Sequence, residues 1–172
     1  TVTGLEAAGP AYLLQAKATL CGLYINELMV KLLPQAEAEP ALFDGYQHAL
    51  AGLQSDQDNE ITLRLFEKQL LSRLGYGLAI EHEYDTGRAI DTTQDYYYIA
   101  DSGLHRWQSG MQHHKISGRS LQHLTAEHGF DQHSLKEIKQ LMRAVIQFYL
   151  AGRPLQSRAL FSQFSVNSKE KA

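Results

Sequence analysis

Apolar residues recur at intervals of three and four positions over most of the chain, the spacing that places them on one face of a helix. The first such segment, 11–33, is apolar on almost all sides, and its polar residues Lys17, Glu27 and Lys31 fall on one narrow strip. We therefore predict a largely buried central helix. Asn26 lies off this strip, which predicts a hydrogen-bonded amide in the core.

Turn and capping residues divide the following segment into helices. Pro40 is placed to begin the second helix, and Asp58 or Asn59 to cap the third. The third helix closes on glycines in the run FEKQLLSRLGYGL. Because a phosphate-binding glycine loop precedes a helix rather than following it, we interpret Gly75 as a left-handed C-terminal cap. The apolar stripe of this helix consists of Leu63, Phe66, Leu70 and Leu74.

Helical periodicity stops between 81 and 114. Residues 81–101 hold six acidic side chains against Arg88, a local charge of −5. The stretch YYYIADSGLHRW has β-forming residues on both sides of a turn, which predicts a small β-hairpin. An isolated hairpin is only marginally stable, so this one is expected to pack against the helices.

Helical patterns return after Gly110. We predict one helix over 119–128, another that begins with a capping box formed by Ser134 and Glu137, and a short last helix over 157–164. The polar residues 166–172 are predicted to be disordered. From Lys136 to the end, seven basic residues face two acidic ones, a local charge of +5. The molecule is therefore expected to be polarised between an acidic hairpin region and a basic C-terminal end.

These patterns predict a mainly α-helical protein: one helical bundle domain over 1–165, with a β-hairpin inserted at about 81–114. The net charge of −3 provides no overall attraction to nucleic acid. The longest apolar run, about 28–33, is interrupted by Lys31, so no membrane span is expected. The chain begins without a methionine and without a signal-peptide pattern, and we expect it to be a piece of a longer protein.

Eight histidines and one cysteine invite a search for metal-binding or nucleophilic chemistry. His123, His128 and His133 recur every five residues, which places successive rings about 140 degrees apart on a helix, so no single face gathers them. Cys21 lies inside the first helix, where a buried thiol is unreactive. We predict no metal, no cofactor and no enzymatic activity. The alternative, a metalloenzyme using the histidines around the hairpin, is tested by elemental analysis.

Basic residues beside apolar ones indicate a binding surface. Such a mixture suits an acidic peptide that ends in an aromatic residue, because a pocket takes the ring while guanidinium groups hold the carboxylates. The alternative is that these cations are ordinary surface residues. The candidate partner-binding residues are Ile61, Arg64, Lys68 and Leu71 on the third helix, and Arg153 and Arg158 around the turn GRPLQSRALF.

Three segments together resemble a known family. GLYINEL (22–28), FEKQLLSRLGYGL (66–78) and AGRPLQSRALF (151–161) are similar, in order and spacing, to the helical C-terminal region of the bacterial RecO family of DNA repair proteins. The resemblance covers essentially the whole chain, and it implies a non-enzymatic, cytoplasmic, nucleoid-associated recombination mediator. Such proteins bind single- and double-stranded DNA, anneal complementary strands, and load the RecA recombinase together with RecR.

The resemblance also implies a partner for the basic surface. RecO-like proteins act on strands coated with single-stranded-DNA-binding protein (SSB), whose acidic, phenylalanine-terminated tail docks on the helical domain. Arg64 and Lys68 are then expected to bind the carboxylates of that tail, and Arg153 and Arg158 either the tail or phosphates. The expected DNA-phosphate contacts are Lys136, Lys139 and Arg143.

Two departures from the family pattern shape these expectations. Family members normally begin with an OB-fold barrel, and this chain has no strand-rich N-terminal part, so much of the DNA contact is expected to lie on the missing barrel. Some members also carry a four-cysteine zinc site in the segment that corresponds to about 82–114, where this chain has no cysteine. The alternative function is a helical protein–protein interaction module without nucleic-acid contact.

Overall fold

The computed structural model describes residues 11–33, 39–55 and 57–169, the last range without the side chains of 162 and 164–169. The described residues form six helices and one small antiparallel sheet, so the prediction of a mainly α-helical bundle with a β insertion is confirmed. The elements are α1 (Ala16–Leu32), α2 (Pro40–Gln54), α3 (Asn59–Arg73), β1 (Asp95–Ile99), β2 (Gly103–Arg106), β3 (Ile116–Ser117), α4 (Gly118–Ala126), α5 (Gln132–Tyr149) and α6 (Gln156–Lys169).

The core lies around α1 and α5. Helix α1 packs against α2, α3 and α6, while α5 packs against α3, α4 and β3. Cys21, Ile25 and Leu28 of α1 are fully buried, as predicted for a central helix, but Leu23 and Val30 are exposed, so the helix is buried on one side only. Burial raises the pKa of the Cys21 thiol to about 11, so the thiol stays protonated and unreactive. Within the described ranges, no helix is long and apolar enough to cross a membrane.

Two details of α1 differ from the prediction. The helix begins at Ala16, five positions after the expected start at residue 11. Asn26 is exposed rather than buried, although its amide is hydrogen-bonded as expected, since its Oδ1 accepts from the Tyr46 hydroxyl of α2 at 2.8 Å. The polar strip proved a poor guide here because Asn26 lies at the rim of the α1–α2 contact, where an amide reaches both water and a neighbouring hydroxyl.

The predicted turn and capping signals are found at the helix ends. Pro40 occupies the first turn of α2, and the Asp58 carboxylate accepts from the N–H of Glu60 at 2.7 Å. Gly75 adopts a φ of +78° after α3, and the N–H of Tyr76 donates to the Leu71 carbonyl at 2.8 Å. This is the left-handed termination predicted for LGYG. The Tyr76 ring then stacks on Tyr149 of α5, with centroids 4.0 Å apart.

The inserted segment contains the predicted hairpin and a third strand. Strands β1 and β2 pair antiparallel with Tyr97 opposite His105, and β3 pairs with the other edge of β1, where Ile116 lies opposite Tyr96. Tyr96 and Leu104 are fully buried against the helices. A two-residue strand leaves no periodic pattern in a sequence, which is why β3 was missed and why the sheet extends beyond the expected limit at residue 114.

The last two helices begin and end differently from the prediction. Helix α5 begins at Gln132, because the capping box is formed by Asp131 and Ser134 rather than by Ser134 and Glu137. Helix α6 continues to Lys169, five residues past the expected end at Phe164. The remaining residues, 170–172, lie outside the described part of the chain.

Candidate binding cleft

A cleft of about 400 Å³ opens where α1, α3, α5 and α6 meet. Each helix contributes at least one cationic side chain to it, and three apolar or aromatic side chains form part of its wall. The lining residues are Lys17 and Tyr24 from α1, Glu60, Leu63 and Arg64 from α3, Lys139 and Arg143 from α5, and Arg158 and Phe161 from α6.

The apolar part of the cleft consists of Tyr24, Leu63 and Phe161. The Tyr24 and Phe161 rings meet edge to face, with centroids 6.4 Å apart and planes at 78°. Such an arrangement is favourable for aromatic pairs and leaves a ring-lined surface next to charged groups. A ligand that carries an aromatic or aliphatic group therefore has apolar surface to bury in this cleft.

A buried polar cluster lies beneath the cleft. The Glu67 side chain is fully buried, accepts from the Tyr24 hydroxyl at 2.6 Å, and lies 3.0 Å from the Nη1 atom of Arg64. Burial raises the pKa of Glu67, and the Arg64 charge and the Tyr24 hydrogen bond counteract part of that effect. Burial and the Glu67 carboxylate raise the pKa of Tyr24. Arg64 therefore has an ion-pair partner, Glu67, beneath the cleft.

Glu60 pairs with amino groups on both sides of the cleft. Its two carboxylate oxygens accept from the Nζ of Lys139 at 2.8 and 3.0 Å, and Lys17 Nζ lies 3.7 Å away. Partial burial opposes ionisation, but the lysines and Arg64 outweigh it and lower the pKa of Glu60. The carboxylate is therefore ionised at neutral pH. Arg143 is exposed at the rim, on the face of α5 that carries Lys139 one turn earlier.

Helix α6 is held in place by a side chain of α1. The N–H groups of Gln156 and Ser157 donate to the Glu27 carboxylate at 2.8 and 2.9 Å, and Lys31 pairs with the same carboxylate at 2.9 Å. Lys31 also donates to the carbonyl of Pro154. These contacts fix the first turn of α6 and thereby direct Arg158 and Phe161 to the cleft.

Comparison with known proteins identifies the family. A family model described as "Recombination protein O C terminal" matches residues 13–159. Over 164 residues, the chain is 40% identical to the DNA repair protein RecO of Nitrosococcus oceani, which covers 95% of this chain and 67% of that protein. The chain belongs to the RecO family.

Other RecO proteins match to a similar extent. The DNA repair protein RecO of Stutzerimonas stutzeri is 37% identical over 170 residues, covering 99% of this chain and 71% of the relative. That of Coxiella burnetii (strain CbuG_Q212) is 40% identical over 156 residues, covering 91% and 67%. The chain thus corresponds to about two thirds of a RecO protein, and its role lies in DNA repair.

The cleft combines residues from both binding sets predicted by the sequence. Arg64 and Arg158, expected to bind an acidic peptide, line it together with Lys139 and Arg143, expected to contact DNA phosphates. Lys136 is exposed one turn before Lys139, outside the cleft. Part of each predicted surface therefore lies in the cleft.

Four other predicted partner-binding residues lie elsewhere. Lys68 donates to the carbonyls of Leu124 and Thr125 and pairs with Glu127 at 2.7 Å, so it stabilises the end of α4. The remaining three are Leu71, which is fully buried; Ile61, which faces a groove between α2 and α3; and Arg153, whose Nε donates to the Leu150 carbonyl.

Sequence reasoning missed five residues of the cleft. Lys17 stood out on the polar strip of α1, and Phe161 closes the motif GRPLQSRALF, so each carried a signal that was not connected with binding. Tyr24, Glu60 and Leu63 carried none, because only the packing of α6 over α1 and α3 brings them together.

The structure also locates the histidines around the sheet. His105 lies between the Asp85 carboxylate and the Ser102 hydroxyl, each at 2.8 Å, and its ring packs beside Tyr97. Among the residues that the structure describes, no group of three or more histidine, cysteine, aspartate or glutamate side chains is arranged to hold a metal ion.

Proposed function

We propose that this chain is the helical part of a non-enzymatic RecO recombination mediator and that its cleft docks the acidic, phenylalanine-terminated tail of SSB. One observation carries the proposal: the Tyr24–Leu63–Phe161 surface lies in the same cleft as the guanidinium groups of Arg143 and Arg158. An acidic peptide with an aromatic end needs both kinds of surface within a few residues of each other.

The proposed pose follows from the placement of these groups. The terminal phenylalanine ring packs against the apolar wall, and the peptide carboxylates face the exposed Arg143 and the half-buried Arg158. Arg64 is 3% exposed and pairs with the buried Glu67, so it contributes its charge only from below. Arg143 and Arg158 therefore replace Arg64 and Lys68 as the main carboxylate-binding residues in the proposal.

DNA binding is the second part of the proposal. Lys136, Lys139 and Arg143 occupy positions i, i+3 and i+7 of α5 and so share one face of that helix. We propose that this stripe contacts the phosphate backbone without reading sequence, as a supplement to DNA contacts made by the rest of the RecO protein. Such binding weakens steeply with salt, because each neutralised phosphate releases counterions.

The further steps belong to the whole protein. We propose that RecO anneals complementary strands and loads RecA together with RecR after SSB has recruited it. Membership of the RecO family supports this part of the proposal.

The docking proposal is tested by fluorescence anisotropy with a labelled acidic peptide that ends in phenylalanine. We expect saturable binding that falls at least about tenfold in Arg143→Glu, because a repulsive charge replaces an attractive one at the rim. Arg73→Glu is the matched control, since Arg73 is exposed in the last turn of α3, outside the cleft. Equal losses in the two variants would contradict the proposed site, and a peptide lacking the terminal phenylalanine should bind no better than background.

A protein-binding module without nucleic-acid contact is the second candidate. Its support is the net charge of −3 together with the pairing of Lys139 by Glu60 inside the cleft. Titration of a labelled oligothymidine at low and moderate salt separates the two functions. Salt-sensitive binding that is lost in Lys136→Glu favours the mediator, whereas peptide binding without any oligonucleotide binding favours the module.

A further inference from the structure

The Glu60 carboxylate lies among the cationic side chains of the cleft. Among the described residues that line the cleft it is the one carboxylate, and its side chain remains 24% exposed. Both of its oxygens accept from Lys139, and Lys17 lies 3.7 Å from one of them. Glu60 therefore engages two of the five described cations of this cleft, and Glu67 pairs with a third, Arg64.

Glu60 is expected to affect the affinity for a phosphate backbone and the affinity for a peptide to different extents. A phosphodiester backbone gains affinity mainly from cations, so it loses the two lysines that Glu60 holds and meets the charge of Glu60 itself. A peptide with an apolar end also buries its ring against Tyr24, Leu63 and Phe161, and this gain is independent of Glu60. Its carboxylates still face Arg143, which is exposed at the rim, and Arg158, which is half-buried.

We propose that Glu60 is the residue that determines the ligand class of the cleft, favouring an acidic peptide with an aromatic end over a nucleic-acid phosphate backbone. This inference rests on the proposed docking function and adds a specificity determinant to it. It also implies that the cationic residues of α5 (Lys136, Lys139 and Arg143) differ in their availability to phosphates. Lys136 is open to phosphates, whereas Lys139 is engaged by Glu60 until a ligand displaces that carboxylate.

The test is Glu60→Gln, with affinities measured in parallel for a labelled oligothymidine and for the acidic peptide. We expect oligothymidine to bind about tenfold more tightly and the peptide no more than about threefold more tightly, because only the phosphate chain depends entirely on charge. Equal gains for the two ligands, or no gain for oligothymidine, would overturn the proposal. If the original chain binds no peptide, the docking function fails, and the oligothymidine result still decides whether Glu60 excludes phosphates.

Two comparisons make the result specific to the cleft. Glu127→Gln removes the carboxylate partner of another lysine, Lys68, outside the cleft, and should leave both affinities unchanged. Adding Lys139→Met to Glu60→Gln should abolish the gain for oligothymidine, since the released lysine is then absent. A gain that survives in the double variant would contradict the assigned role of Glu60.

The unsubstituted chain provides a measurement that does not depend on the folding of a variant. The carboxylate carbon of Glu60, observed by NMR, should shift when oligothymidine saturates the protein, because the phosphates withdraw Lys139 from it. A resonance that stays in place at saturation would show that Glu60 does not compete with phosphates.

Discussion

The carboxylate of Glu27 in α1 caps α6 by accepting from both the N–H and the hydroxyl of Ser157, at 2.9 and 2.6 Å. The capping residue lies 130 positions away in the chain, whereas most helices are capped by a neighbouring side chain. Since α6 brings Arg158 and Phe161 to the cleft, Glu27 holds two cleft residues in place as well as the helix itself.

Removal of this cap should affect stability and binding together. We expect Glu27→Ala to lower the free energy of unfolding by about 1–3 kcal/mol, because the first amides of α6 lose their charged acceptor. Peptide affinity should fall in parallel as α6 loosens. Thermal unfolding and anisotropy measure the two effects. Glu39→Ala is the matched control, since the Glu39 side chain precedes α2 without making a capping hydrogen bond. Equal behaviour of the two variants would contradict the role of Glu27.

The contacts of the Glu27 carboxylate also predict how the stability of the protein depends on pH. Burial opposes ionisation of Glu27, but hydrogen bonds from Lys31, Ser157 and Gln156 outweigh it and lower its pKa from 4.5 to about 2. A lowered pKa in the folded state stabilises the protein above the unfolded-state value, and this contribution is lost as the pH falls from 4.5 towards 2. The loss amounts to about 3 kcal/mol at most. The free energy of unfolding in urea should depend less on pH across this range in Glu27→Gln than in the unsubstituted protein. An equal pH dependence in the two proteins would contradict a stabilising role for the Glu27 carboxylate.

Gly75 gives a prediction about backbone conformation alone. Its φ is +78°, and a Cβ atom added there would meet no atom within 4 Å. We expect Gly75→Val to cost about 2 kcal/mol, because a branched side chain is strained in the left-handed region even where space is free. Gly77→Ala is the control, since the nearest atom to its Cβ is 4.0 Å away and the backbone lies outside that region. Urea midpoints that shift equally in the two variants would rule out the conformational explanation.

Features that depend on neighbouring residues were predicted well from the sequence. The end of α3 at Gly75, the cap at Asp58 and the β1–β2 turn each follow from side chains within a few positions of the feature itself. The existence of helix α5 was predicted equally well, because a period of 3.6 residues is repeated over five turns.

The cleft was harder to predict because it depends on distant parts of the chain. Arg64 and Lys68 are four residues apart in α3. Arg64 nevertheless lies in the cleft with residues of α1 and α6, whereas Lys68 donates to a carbonyl at the end of α4. Spacing within one helix places two cations on one flank, but it contains no information about what packs over each of them. Glu60 follows the predicted cap of α3, Asp58 or Asn59, and nothing in the sequence indicated that it would lie in the cleft.

The capping box predicted at the start of α5 exists, but Glu137 is not part of it. Its carboxylate does not cap α5; one oxygen accepts from the N–H and hydroxyl of Ser117 and from the hydroxyl of Ser120, at 2.7–3.0 Å. Glu137→Ala should cost about 2–3 kcal/mol, because buried donors at the start of α4 are left without acceptors. Urea unfolding measures this cost, with the exposed Glu81→Ala as the control. A loss below about 0.5 kcal/mol, typical of surface sites, would contradict this role.

The buried pair beneath the cleft predicts a pattern that only a double substitution reveals. Glu67→Ala should destabilise the protein by about 3–5 kcal/mol, because Arg64 is 3% exposed and would be left as an uncompensated buried charge. Replacing both residues, Arg64→Met with Glu67→Leu, should recover most of that loss, since apolar side chains of similar volume need no partner. Tyr24→Phe, which removes one hydrogen bond to Glu67, should cost about 1 kcal/mol. Urea unfolding of the three variants measures these free energies. If the double variant is no more stable than Glu67→Ala, Arg64 and Glu67 do not act as a pair. The buried cluster beneath the cleft is then stabilised by packing instead.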